Sequence, residues 1–514
     1  MRSPCSAPGG HRSGAAATAC AARSAGVILG AMGGQSSRST AQAGGERVVA
    51  RGAPSPRVQT LTIAGLAVLF ATILVAPSPV GLPAEGQRVI AVAVLAIGLW
   101  CTETLPAAVT SLILVVALFL TGGVPGLAPA LAGFSDPVAF FLIGVLTIGL
   151  AVSRSGLADR VARFFLRRAC GNSRSLYLQL LLAFPLLTFI LPSATTRTGI
   201  LVHVYEQALA LGEVPKRSAL ASAIMMALNS INRLASTVLL TGGITPVVSA
   251  SLIGGIYWSQ WLLLMSVPYG ALLVIGSVLI YVRYRSGFRR PLPDLPQEAP
   301  KPFTGVEIRT LVITAAASTL WLTDSLHHLP PAVPAVLAWI CLLLPRVGVL
   351  SWTEFERSIG WTNFFVIASS LSLARALTAS GASAWVAGLI VQAVPAFGEH
   401  PALVIVALLA ASVPVRMLIP NITGFLATTI PIAMSIGAAT GVNPLVCGLA
   451  VMIAGDAVLY YPAQSASSLS VYERGFLSAP EIFRFGVWMT LMAFLVVLAV
   501  ALPWWSLVGE PLRS

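Results

Sequence analysis

The sequence predicts an all-α polytopic membrane protein, with about 11 transmembrane helices and two re-entrant hairpins in two inverted-topology repeats. Of its 514 residues, 56% are hydrophobic and 10% are charged, which leaves too few polar groups to cover a soluble globule of this size. Windows of about 15 to 22 residues with few or no charges recur along the chain, and each is long enough to cross a ~30 Å hydrocarbon layer.

Basic residues are concentrated in a few loops. The segments 154–174 and 282–309 each carry six lysines or arginines, whereas the loops 121–135, 247–258 and 439–444 carry no charge. The positive-inside rule assigns the basic loops to the cytoplasm. This predicts a cell-membrane protein with a cytoplasmic N-terminus and an external C-terminus, and the net charge of +13 does not indicate nucleic acid binding.

The order of segments predicts two similar units behind a tail. Residues 1–57 are rich in Gly, Ala, Ser and Arg without apolar periodicity, which is typical of a disordered tail and also of an organelle transit peptide. The predicted units are a first repeat at 58–285 with a re-entrant hairpin at 176–211 and a broken helix at 219–253, a cytoplasmic linker at 286–305, and a second repeat at 306–505 with a hairpin at 402–438 and a broken helix at 444–472.

Two helix-breaking motifs mark the tips of the predicted hairpins. Aligning Pro192-Ser193-Ala194-Thr195 with Pro420-Asn421-Ile422-Thr423 matches Pro with Pro and Thr with Thr. The first hairpin has basic residues at both ends, Arg174 and Lys216. A segment that enters and leaves the membrane on the same side explains both ends, with the tip near the bilayer centre.

Each hairpin is followed by a helix with polar residues at mid-depth. The first is predicted to be interrupted by polar and flexible residues, and the second contains Gly455-Asp456 and then the segment 462–468. The interrupting residues of the first are Asn229, Ser230, Asn232, Arg233, Thr237, Gly242, Gly243 and Pro246. The helices before the hairpins, at 135–156 and 360–381, share a Phe-Phe pair and a closing Gly. The span count makes the second unit begin on the opposite side from the first, which predicts inverted repeats and a site where they meet.

Broken helices at mid-membrane free carbonyl groups for a cation and direct helix N-termini at an anion. The alternative is that Ser, Thr and Pro only kink packed helices. The candidate substrate- or ion-binding residues are Ser193, Ala194, Thr195, Arg197, Asn229, Ser230, Arg233, Asn421, Ile422, Thr423, Asp456, Pro462, Ser465 and Ser467. Of these, Ser193, Thr195, Asn421 and Thr423 are the candidate ligands of a sodium ion.

Arg197 and Arg233 stand out because an arginine at the bilayer centre costs about 2.5 to 3.5 kcal/mol on insertion scales. One interpretation is that they bind an anionic substrate or supply fixed positive charge in place of sodium. The other is that their side chains snorkel to the membrane surface or pair with Glu206 or Asp456. Asp456 is correspondingly either a proton or cation carrier or a buried partner of Arg233.

Several motifs resemble the divalent anion/sodium symporter family. They are Gly-Phe-Ser-Asp-Pro at 133–137, Ser-Gly-Leu-Ala-Asp-Arg at 155–160, both hairpin tips and the segment 462–468, and the resemblance spans 87–502. It implies a dimeric carrier of di- and tricarboxylates or sulfate whose tips read Ser-Asn-Thr. Ala194 and Ile422 stand where that family has the middle asparagines.

The sequence therefore predicts a secondary active transporter of a small anion by cation-coupled symport, with sodium as coupling ion and no other cofactor. An anion channel, an exchanger not coupled to sodium and a transporter of another ion class in the same superfamily are the alternatives. An enzyme is not expected, because the sequence lacks His-Glu-x-x-His, a Gly-x-Gly-Asp motif and a nucleotide-binding loop.

Overall fold

The computed structural model describes residues 56–169, 171–191, 193–289, 302–393 and 400–513. Most of the predicted tail, part of the predicted linker and Pro192 lie outside this range. Regular secondary structure in the described residues is helical, with no strand longer than an isolated bridge such as that between Val442 and Arg513. The predicted all-α class is therefore confirmed.

The first half of the described chain contains ten main helices. They are α1 (Pro56–Val75), α2 (Ala84–Thr102), α3 (Ala107–Leu120), α4 (Pro137–Ser155), α5 (Leu157–Arg167), α6 (Ser173–Ile190), α7 (Ala194–Leu211), α8 (Ala219–Met226, continued by a π-helical turn at Ala227–Ile231 and by Asn232–Thr237), α9 (Ile244–Ile253) and α10 (Trp258–Arg283).

The second half contains a further ten. They are α11 (Gly305–Leu322), α12 (Ala332–Leu343), α13 (Trp352–Ser358), α14 (Trp361–Ala379), α15 (Ala382–Ala393), α16 (Pro401–Leu418), α17 (Ile422–Thr440), α18 (Pro444–Asp456), α19 (Ala466–Tyr472) and α20 (Ala479–Val496, continued to Leu507).

Nine helices of the described chain are long and apolar enough to cross a membrane, or ten if the bent pair α14–α15 is one span. Three of the nine are hairpin arms, so the predicted count of eleven crossings is not established. Leu178, Leu182 and Leu186 form an exposed stripe on α6. Because these residues share one helix face, the stripe is suited to contact lipid.

Two consecutive helices meet at each tip motif, and these two pairs are named hairpin 1 and hairpin 2. Hairpin 1 is α6 and α7, joined at 191–193, and hairpin 2 is α16 and α17, joined at 419–421. Ser193 caps the second arm of hairpin 1 and Asn421 caps that of hairpin 2, each accepting from a backbone N–H of the first helical turn. A side-chain oxygen at this position satisfies an N–H that the helix itself leaves unpaired.

Two broken helices follow the hairpins. Broken helix 1 is α8 and α9, and broken helix 2 is α18 and α19. Of the residues predicted to interrupt the first one, Asn229 to Thr237 lie inside continuous helix. The chain leaves the α-helix at 238–243, where the predicted Gly242 and Gly243 lie. Gly242 is required at this break, because an added Cβ would lie 2.0 Å from the carbonyl oxygen of Ser236.

Each hairpin packs against the broken helix of the other half. The second arm of hairpin 1, α7, contacts α19, and the second arm of hairpin 2, α17, contacts α9. The two broken helices also contact each other through α9 and α18. These contacts bring the two hairpin tips and the two helix breaks together in one buried polar centre.

Candidate anion site at the helix breaks

An ion pair joins the two broken helices. Nη1 of Arg233 on α8 donates to Oδ1 of Asp456 at 2.7 Å, and Asp456 is fully buried at the C-terminal end of α18. The pairing of Arg233 with Asp456, one of the two interpretations from the sequence, is the arrangement in the structure. The pair holds the helix breaks together.

Three hydroxyl groups complete the surroundings of the Asp456 carboxylate. Oδ2 accepts from Thr237 at 2.7 Å and from Tyr269 at 3.0 Å, while Oδ1 also accepts from Thr245 at 3.0 Å. Both oxygens thus accept two hydrogen bonds each, so the buried carboxylate has partners in place of water. These three residues were not predicted as part of the site.

Arg197 anchors the tip of hairpin 1 to broken helix 1. Its side chain is fully buried, and Nη1 donates to the carbonyl of Leu191 at 2.9 Å. Nε donates to Oδ1 of Asn232 at 2.6 Å, and Nη2 donates to the Asn232 carbonyl and to Ser236. The predicted pairing of Arg197 with Glu206 or Asp456 is wrong, because Glu206 pairs with Arg474 and Lys216.

Arg416 anchors the tip of hairpin 2 to broken helix 2. It was not among the site residues predicted from the sequence. It is buried, Nη1 donates to the carbonyls of Ile419 and Pro420 at 2.7 and 2.8 Å, and Nε donates to the Gly455 carbonyl at 3.0 Å. The available signal was the one used for Arg197, an arginine inside an apolar arm next to a tip motif. Arg416 lies before its tip and Arg197 after.

Besides the contacts of Asp456, a hydrogen bond between Asn229 and Ser468 links broken helix 1 to broken helix 2. Oδ1 of Asn229 accepts from Ser468 at 2.6 Å, and Nδ2 of Asn229 donates to Ser230 at 3.0 Å. Ser468 was not a predicted site residue. The predicted residues Ser465 and Ser467 bond to each other at 2.8 Å.

The tip residues differ in whether their side chains remain accessible to a ligand. The side-chain oxygens of Ser193 and Asn421 already accept backbone N–H groups as helix caps. Thr423 and Pro462 are buried, Ala194 and Ile422 are partly buried, and the side chain of Thr195 is exposed. The carbonyl of Ala194 accepts from Asn232 at 3.3 Å.

The buried centre carries excess positive charge. Three guanidinium groups, those of Arg197, Arg233 and Arg416, lie there, and among the described residues one of them, Arg233, is paired with a carboxylate, that of Asp456. Nε of Arg233 and Nη2 of Arg416 are buried without a hydrogen-bond partner in that part of the chain. A buried N–H left unpaired costs about 1 to 3 kcal/mol, so these two donors are suited to an anion.

A family model described as the sodium:sulfate symporter transmembrane region matches residues 58–510. The chain belongs to this family. The family resemblance inferred from the sequence is therefore confirmed, and the protein is a multi-pass membrane transporter.

Several known proteins resemble this family member along most of its length. A membrane protein of Cupriavidus necator is 24% identical and the alignment covers 85% of this chain and 90% of that protein. The citrate/succinate antiporter of Escherichia coli is 24% identical, with coverage of 85% and 96%. The chloroplastic dicarboxylate transporter 2 of Spinacia oleracea is 22% identical, with coverage of 87% and 81%.

Among solved structures, the YdaH transporter of Alcanivorax borkumensis is similar to this family member. The match has a TM-score of 0.46 and 12% sequence identity, and it covers 89% of this chain and 98% of the other.

Proposed function

We propose that the protein is a secondary active transporter of a small di- or tricarboxylate, which binds between the hairpin tips and the helix breaks. The observation that carries the proposal is the pair of buried, unpartnered N–H donors, Nε of Arg233 and Nη2 of Arg416. Guanidinium donors bind carboxylates with charge-assisted hydrogen bonds. Three guanidinium groups and one carboxylate leave two positive charges uncompensated, which a dicarboxylate would neutralise.

The names of relatives agree with this substrate class. The Spinacia oleracea protein is named a dicarboxylate transporter, and the Escherichia coli protein is named a citrate/succinate antiporter. Transport would follow from movement of the hairpins and broken helices against the other helices. The inverted relation of the two repeats, the external C-terminus and a homodimeric assembly in the cell membrane stay predictions.

Cation-coupled symport with sodium also stays a prediction, with Ser193, Thr195, Asn421 and Thr423 as its proposed ligands. A second candidate is exchange of one dicarboxylate for another without sodium. The arginines favour it, because they supply the positive charge that a bound cation would otherwise bring to the site. The antiporter named among the relatives favours it as well.

The test is uptake of labelled succinate, citrate and sulfate into proteoliposomes, with sodium and proton gradients varied separately and with or without internal unlabelled anion. Uptake of a di- or tricarboxylate above that of empty liposomes supports the proposal. Dependence on the sodium gradient identifies symport, and dependence on internal anion identifies exchange. Failure of every carboxylate to enter under all of these conditions would overturn the proposed substrate class.

A further inference from the structure

A second basic site lies outside the helix breaks, in a cavity of about 630 Å³ between α9, α14, α17 and the start of α18. Arg375 on α14 is the charged residue among the described residues that line it, and its side chain is half exposed. The rest of the lining is apolar or carries hydroxyl groups, as Thr378, Ser435 and Ser251 do. An exposed guanidinium in an otherwise uncharged cavity attracts anions.

One helix, α9, connects this cavity with the candidate site. Helix α9 carries Thr245, which donates to Asp456, and six residues further on it carries Ser251, which lines the cavity. At a rise of 1.5 Å per residue the two positions are roughly 9 Å apart along the helix. An anion in the cavity is therefore about two helical turns from the helix breaks.

The guanidinium of Arg375 is held by two contacts, and its other N–H donors remain available to a ligand. It forms an ion pair with Asp136, and Nη1 donates to the Ala132 carbonyl at 2.9 Å. A guanidinium has five N–H donors, so these contacts leave others directed elsewhere. Asp136 is buried, and it also caps α4 by accepting from the N–H of Val138 at 2.9 Å.

Asp136 also lines a neighbouring cavity of about 370 Å³, and Ser251 belongs to both cavities. The Asp136–Arg375 pair thus lies where the two spaces meet. Both are at the end of the helix bundle whose loops, 121–135, 247–258 and 439–444, carry no charge. Among the described arginines at this end, Arg375 is the one that lines the first cavity.

We propose that Arg375 is an entry station for the transported anion: its guanidinium binds a substrate carboxylate in the cavity before the anion reaches the helix breaks. Asp136 holds the guanidinium in place and competes with the substrate for it. This inference rests on the proposed transport of carboxylates. It adds a binding step on one side of the membrane and assigns it to a residue outside the central site.

The experiment compares the KM for labelled succinate from each side of the membrane, in whole cells and in inverted vesicles, for the full-length protein. Arg375→Gln is expected to raise KM about fivefold from the cavity side, which corresponds to ~1 kcal/mol at 1.4 kcal/mol per tenfold. The increase should shrink at high ionic strength, since the lost interaction is exposed and screened. Arg375→Lys, which keeps the charge, should show a smaller increase.

Two variants complete the design. Arg88→Gln is the matched control, because Arg88 is an exposed arginine near the same end of the bundle that bonds the Gly122 carbonyl and does not line the cavity. It should leave KM unchanged. Asp136→Asn keeps an oxygen for the α4 cap and removes the competing charge, so it should lower KM from the cavity side.

An unchanged KM in Arg375→Gln and in Asp136→Asn, with wild-type uptake present in the same preparations, would overturn the entry station and leave the proposed function standing. An equal rise of KM in Arg88→Gln would overturn it too. Absence of wild-type carboxylate uptake would instead overturn the proposed function itself.

Discussion

Nη1 of Arg233 lies 2.7 Å from Oδ1 of Asp456, although 223 residues separate them in the sequence. The pair joins the end of α18 to the last turns of α8, so each broken helix supplies one charge. A buried charge that loses its partner is strongly destabilising, whereas a buried pair that is removed together is often tolerated. Comparing a variant that loses one charge with a variant that loses both therefore separates the contribution of the pair to stability from its contribution to transport.

Asp456→Asn is expected to lower stability by about 3 to 5 kcal/mol, because Arg233 would keep its charge without a counter-ion. Thermal unfolding of the detergent-purified protein, followed by size-exclusion chromatography, measures this loss. The double variant Arg233→Gln/Asp456→Asn removes both charges and should regain most of the stability while losing uptake. A Tm of Asp456→Asn equal to that of the wild type would show that the pair does not stabilise the centre.

Arg416→Lys is expected to reduce succinate uptake by at least about tenfold, because one ammonium group cannot reproduce the geometry of a guanidinium. Lysine cannot bond the Ile419, Pro420 and Gly455 carbonyls and also offer a donor where Nη2 now lies. The measurement is uptake together with the rise in Tm that substrate produces, which should disappear.

The matched control is Arg484→Lys. Arg484 is exposed on α20 and its Nε donates to the Pro480 carbonyl at 3.3 Å. This substitution should leave both uptake and the substrate-induced rise in Tm unchanged. If Arg416→Lys retained a normal substrate-induced rise, the donor at Nη2 would have no part in binding.

Gly455→Ala is expected to destabilise the protein by about 1 to 3 kcal/mol through overpacking. An added Cβ would lie 2.1 Å from Cε1 of Phe425 on α17, so hairpin 2 and α18 would have to separate. Gly270→Ala is the control, since Gly270 lies in helix α10 and a Cβ there meets nothing within 4 Å. Thermal unfolding should show a loss for the first and no loss for the second, and adding Phe425→Leu to Gly455→Ala should restore part of the stability.

The sequence was sufficient to locate the helix ends at both tip motifs, the second helix break and, through Gly242 and Gly243, the first. Pro, Ser, Asn and Gly within apolar sequence are typical of helix ends. Helices α7 and α17 begin directly after Ser193 and Asn421, which are their capping residues. The membrane class followed from composition alone. These features are local, so a linear pattern reveals them.

What the sequence could not provide were contacts between distant elements. The first broken helix continues through Asn229 and Arg233 because their side chains bond across to Ser468 and Asp456. Polar residues at mid-depth thus marked a helix–helix interface and not a break. Tyr269 was missed because its partner Asp456 is set by three-dimensional packing, and it looks like an ordinary member of an apolar helix. Arg416 was missed although an arginine inside an apolar arm is the signal that identified Arg197.

Thr195 and Ser193 provide a test of direct binding at the tip of hairpin 1. The Ser193 hydroxyl caps α7, so Ser193→Ala is expected to cost about 1 kcal/mol of stability. The Thr195 side chain is exposed beside that cap, so Thr195→Ala should leave the Tm unchanged. If Thr195 binds the anion or its coupling ion, Thr195→Ala should still raise the KM for succinate several-fold. Equal KM values for Thr195→Ala and the wild type would remove Thr195 from the site, whereas a rise in KM without a change in Tm is the result that a merely structural threonine would not give.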